Sequence, residues 1–97
     1  MTLDAFHASL TQPTPPVSLS PELQALWLDA NGEWDAAHSI VQAMQTFDAM
    51  WVHAYLHREE GVIWNAEYWY SRVGKYLPEV SLEEEWEQIA TTLLSAQ

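Results

Sequence analysis

The sequence contains no cysteine. That single absence removes disulfides, zinc–thiolate sites and thiol nucleophiles together. Basic residues are nearly as scarce. Arg58, Arg72 and Lys75 stand against 14 acids, for a formal net charge of -11, and no Lys or Arg occurs before position 58. A nucleic-acid partner needs a positive footprint to neutralise phosphates, and an anionic membrane surface needs the same, so both are excluded. Three glycines are too few for a phosphate-cradling loop, and no nucleophile or kinase signature is present. No apolar run approaches the ~20 residues of a membrane-spanning helix. The opening "MTLDAFH" has neither a basic n-region nor a long apolar h-region. No secretory signal is therefore read there, and the expected location is the cytoplasm.

What is abundant is aromatic surface. Six Trp, four Tyr and two Phe occur in 97 residues, and 48% of the chain is hydrophobic. A chain of this length makes one domain, 1–97, and needs large side chains to build its core. The apolar spacing is helical throughout, with no strand-like alternation, so the chain reads as all-α. A short N-terminal helix is expected over 2–10, with Leu3, Phe6 and Leu10 on one face. "TQPTPPVSLS", 11–20, is a Pro-rich linker. Ser20-Pro21-Glu22 combines a hydroxyl N-cap, Pro at the first helical position and an acid at the positive dipole end. A first hairpin then covers 21–45, its second helix expected over 33–45. A second hairpin covers 46–78, with helices ending at Gly61 and running over 62–76. Ser81-Leu82-Glu83-Glu84 is a capping box that starts a last helix, 81–95, with Trp86, Ile89 and Leu93 inward and an acidic face outward.

The hairpins carry an internal echo. "GEWDAAHSIVQAM" (32–44) lies over "GVIWNAEYWYSRV" (61–73), pairing Gly32 with Gly61, Ala37 with Ala66 and Val41 with Tyr70 at an offset of 29 residues. Ala25 and Ala54 supply the small residues of the first helices. Ala66-x3-Tyr70 followed by Pro78 resembles the second helix of a tetratricopeptide repeat over roughly residues 21–78. The repeat here is shorter than the usual ~34 residues, and His57 stands where that pattern has Tyr. The resemblance implies two stacked helical hairpins, with 81–95 as a C-terminal capping helix. It also implies a groove-lining face made of Asp48, Trp51, Tyr55 and Arg58. The stretch 51–70 is similar to one in a group of small uncharacterised bacterial proteins, a likeness that implies no activity.

Two constellations carry candidate chemistry. In "WVHAYLHREEGVIWNAEYWY" (51–70) the aromatics cover more than one helix face, so some of them are free to contact a partner. Trp51, Tyr55, Arg58, Trp64, Tyr68 and Trp69 are the candidate partner- or ligand-binding residues. Arg58, followed by Glu59 and Glu60, reads first as a solvated surface pair with them; in the groove-lining register it could instead clamp a carboxylate. His53 and His57 share a helix face one turn apart, and stacked hairpins would bring His38 toward them. Three imidazoles with Glu60 or Glu67 near make a candidate divalent-metal site. The competing reading is three structural histidines hydrogen-bonded within the inter-helix layer. His53 is followed by Ala54, so the general base of an H-E-x-x-H protease is missing.

The sequence therefore favours a small helical-repeat module without a cofactor. It would act on a protein or peptide, or on a second copy of itself, through an aromatic, acidic surface, and catalysis is not indicated. The alternative is a small-ligand or metal-binding protein that uses His38, His53 and His57. Convergence of the three imidazoles is the observation that separates the two.

Overall fold

Four hydroxyl side chains set the starts of helices in the computed structural model, which describes all 97 residues. Thr2 accepts from the amide of Ala5, Ser20 from Leu23, Thr46 from Ala49 and Ser81 from Glu84. Each satisfies an amide that the first turn leaves without a partner. The resulting elements are α1 (Leu3–Ser9), α2 (Pro21–Ala30), α3 (Trp34–Val41), α4 (Phe47–Glu60), α5 (Ile63–Arg72) and α6 (Leu82–Ala96). The chain is all-α, and no helix is long and apolar enough to cross a membrane.

Glycine sets several of the ends. Gly61 closes α4 at φ 92, with amide bonds back to Arg58 and His57. This left-handed conformation costs a residue with a Cβ about 1–2 kcal/mol. The helix expected over 62–76 is shorter, because Gly74 takes φ 73 and the amide of Lys75 turns back to the Tyr70 carbonyl at 2.9 Å. The helix expected over 33–45 likewise ends at Val41, and its partner loop runs to the Thr46 cap.

α2 packs on α3 and α4 on α5, giving two hairpins that meet where α3 touches α4. Ala25, Ala37, Ala54 and Ala66 are all fully buried. Small side chains at these places let helix axes approach closely, and larger neighbours fill the space around them. α6 lies across both α2 and α4, and α1 packs on α6. The main core joins Phe6, Leu23, Leu26, Trp27, Val52, Leu56, Trp86 and Ile89 across these elements. Its large indoles are also satisfied as donors: Trp27 Nε1 donates to Ser9 Oγ at 3.1 Å and Trp86 Nε1 to the Leu26 carbonyl at 3.2 Å. Phe6 stacks on Trp86 with centroids 5.4 Å apart, so α1 is anchored on its own chain's last helix.

Candidate metal centre

α4 is a 14-residue helix, and its 3.6-residue period puts His53 and His57 one above the other. Both are buried, and the contact between α3 and α4 brings His38 to the same place. His53 Nε2 lies 3.1 Å from His38 Nε2 and 3.0 Å from His57 Nε2. One ligand atom from each of the three falls within 4.8 Å of the others. An ion bonded to each at about 2.0–2.1 Å in a tetrahedral arrangement holds its nitrogens roughly 3.3 Å apart. The two close pairs need to open by only a few tenths of an ångström.

The surroundings fix the rings. Glu60 Oε1 is 3.0 Å from His57 Nδ1, which places the proton on Nδ1 and leaves the Nε2 lone pair facing the other imidazoles. Trp34 stacks on His38 at 4.8 Å and 9°, and its own Nε1 donates to the Leu56 carbonyl at 2.9 Å. Trp69 stacks on His53 at 4.1 Å. Asn65 Nδ2 stands 3.3 Å from His57 Nε2; with the amide turned over, Oδ1 would take that place. Burial, and secondarily the two neighbouring imidazoles, lowers the His53 pKa to about 4. Burial is also the largest cause that lowers His38, followed by His57, against an opposing pull from Glu60 and Asp35. Both rings are therefore neutral near pH 7, the state in which imidazole binds a metal.

The proton count explains why this arrangement suits a cation. With His57 Nε2 an acceptor and all three rings neutral, only one of the two Nε2–Nε2 contacts can be a hydrogen bond: either His53 Nε2–H donates to one neighbour or His38 Nε2–H donates to His53. His53 Nδ1 is buried and has no partner of its own. A bound cation would engage all three Nε2 lone pairs where one proton is shared. None of the four surface cavities is lined by His38, His53 or His57; Trp69 is the one wall of the site that also borders a cavity, of about 460 Å³. His53 and His57 are buried and His38 is half-buried, so the centre lies just beneath the surface.

The six aromatic and Arg candidates separate. Trp51, Tyr55 and Arg58, expected to line an open groove, instead face α6. Glu85, only 1% exposed, accepts from Arg58 Nη1 at 2.9 Å, from Trp51 Nε1 at 3.1 Å and from the Tyr70 hydroxyl at 2.6 Å. Arg58 also donates through Nη2 to the Val80 carbonyl. The physical reason is charge pairing: the one cation of α4 and a buried carboxylate of α6 satisfy each other inside the chain, so the groove is filled from within. Burial foremost, then the bond to Glu85, raises the Tyr70 pKa far above the usual phenol range. Trp69 belongs to the histidine site. Trp64 and Tyr68 alone point outward, 73% and 51% exposed.

Sequence reasoning missed Glu85, Asn65 and the Trp34 wall, and it singled out Trp69 without placing it at the histidines. Glu85 falls three residues after Leu82 and four before Ile89, on the inner stripe of α6, and that spacing was the available signal. No protein-family model matches the chain, and no curated protein or solved structure matches it.

Proposed function

We propose that the protein binds a divalent transition-metal ion through His38, His53 and His57. The observation that carries this reading is the meeting of three imidazole Nε2 atoms, from two different helices, with no protein cation between them. Imidazole ligands suit Zn, Cu, Ni and Fe, whereas Mg and Ca favour oxygen. Glu60 supplies the outer carboxylate that orients a histidine ligand, and the Asn65 carboxamide is the nearest candidate for a fourth position. A bound ion would tie α3 to α4 and so lock the two hairpins together.

The test is a thermal-shift and calorimetric titration of the full chain with Zn, Ni and Co at pH 7.5, against Mg as a control for the acidic surface. An ion at 100 times its Kd adds about 2.7 kcal/mol to the folded state. For a domain of this size that is roughly 10–20 °C in Tm. His53→Ala should abolish the shift. An equal response to Mg, or an unchanged response in His53→Ala, would contradict the proposal.

A second reading keeps the expectation of a protein contact. Trp64 and Tyr68 lie one turn apart on the outer face of α5, with the Arg72 guanidinium 5.9 Å from the Tyr68 ring centre. Exposed aromatics beside an Arg have the composition of an interface centre, for a peptide or for a second copy of the chain.

A further inference from the structure

The three Lys and Arg side chains of the chain have different surroundings. Arg58 is paired with Glu85 inside the fold, and the Lys75 ammonium rests 4.3 Å from the Trp51 ring centre. Arg72 is exposed and has no carboxylate within ion-pair distance, in a chain that carries 14 acids. Its one side-chain hydrogen bond goes to the Tyr68 hydroxyl at 3.3 Å, which leaves most of the guanidinium N–H donors without a protein acceptor. The hairpin of α4 and α5 sets Phe47 and Met50, in the first turn of α4, against Trp69 and Arg72, in the last turn of α5. With Met44 from the preceding loop they line a cavity of about 460 Å³. Each of the other three surface cavities presents at least one carboxylate. This one presents none, and Arg72 is the only charged side chain on its wall.

We infer that this cavity binds a small aromatic carboxylate, its carboxylate on the Arg72 guanidinium and its ring among Met44, Phe47, Met50 and Trp69. A guanidinium is planar and meets a carboxylate through two parallel N–H bonds, so it fixes the ligand's orientation as well as its charge. The Arg72 guanidinium carbon lies 5.4 Å from the Trp69 ring centre. Cation and aromatic wall are therefore adjacent, which matches a carboxylate on a short arm off a ring. An indole and a phenyl offer flat faces to that ring, and the two thioethers adapt to its edge. Phe47 is 71% exposed, a large ring left uncovered at the rim. An apolar pocket with one charged group is the usual build of a small-molecule site, and the volume falls within the usual range. The net charge of -11 keeps anions away from the surface at large, so a carboxylate that binds is held by local contacts.

The experiment is an amide and indole NMR titration of the full chain, freed of metal on a chelating resin and held in roughly 150 mM NaCl. Metal is removed because a carboxylate would also bind an ion at the histidines, on the other side of Trp69. The probes are hydrocinnamate, its uncharged amide hydrocinnamamide, and the capped dipeptide N-acetyl-Phe-Asp-amide. Hydrocinnamate should give saturable shifts centred on the Trp69 indole, Phe47 and Met50, and should bind about tenfold or more tighter than the amide. Arg72→Gln, at an exposed position, should lose that preference. Lys75→Gln removes the same charge outside the cavity and should bind as the parent does. Phe47→Ser, at the exposed rim, should weaken binding of the acid without removing its preference over the amide. No saturable shift, equal binding of acid and amide, unchanged affinity in Arg72→Gln, an equal loss in Lys75→Gln, or tighter binding of the dipeptide than of the free acid would overturn the inference.

Discussion

Replacing Glu85 by leucine asks how much the carboxylate that fills the groove contributes. The side chain is essentially fully buried and serves three donors, one of them the Arg58 guanidinium, whose side chain is itself only 15% exposed. Leucine has similar bulk, so the packing loss is small and the electrostatic loss dominates. Removing one member of a buried ion pair costs about 3–5 kcal/mol, because the other charge stays buried. The Tyr70 hydroxyl, fully buried, would lose its acceptor as well, at about 1–3 kcal/mol that overlaps partly with the first figure. A total near 4 kcal/mol is a large share of the roughly 5–15 kcal/mol that holds a domain together. With a urea m-value of about 1–2 kcal/mol/M, the unfolding midpoint followed by Trp fluorescence should fall by about 2 M or more. The double variant Arg58→Met/Glu85→Leu removes both charges and should recover at least about 1 kcal/mol of that loss. A Glu85→Leu protein within 1 kcal/mol of the parent, or a double variant less stable than Glu85→Leu alone, would refute the reasoning.

The pH dependence has a definite sign at His53. Its pKa falls from 6.5 to about 4 in the folded chain, so the unfolded chain takes up a proton first, and stability present above 6.5 is lost as pH falls toward 4. The effect is about 2–3 kcal/mol for this buried ring, and urea midpoints of the metal-free protein across that window should decline less in His53→Asn; parallel curves would contradict it. If α5 carries a self-association surface, sedimentation velocity should show a concentration-dependent dimer that Trp64→Ser removes, whereas a parent that stays monomeric up to millimolar concentration leaves only a foreign partner for that face.

Much of the helical plan was legible because its signals are local. Ser20, Ser81 and Gly61 act where their chemistry says they should, as two hydroxyl caps and a left-handed stop. Gly74 is a further local stop signal, and it ends α5 ahead of the 76 expected for that helix. The pairing of His53 with His57 follows from helical period alone. Their meeting with His38 depends on how α3 crosses α4, a long-range fact to which spacing contributes only a hint. The same limit hid the fate of Trp51, Tyr55 and Arg58. Glu85 belongs by composition to the acidic run 83–85, but its position relative to Leu82 and Ile89 is an inner one. Once it is placed inside, the filled groove follows from ordinary charge pairing. Asn65 enters the centre only through the hairpin fold that sets α5 against α4.

The central claim is that three imidazoles hold one ion, and anomalous diffraction at the zinc edge from crystals of the zinc-loaded full chain tests it most directly. The account predicts one strong anomalous peak per chain, about 2.0–2.1 Å from Nε2 of His38, His53 and His57, with His57 Nδ1 still bonded to Glu60. Peaks only on surface carboxylates, with the three rings still in contact at about 3 Å and no density among them, would contradict it.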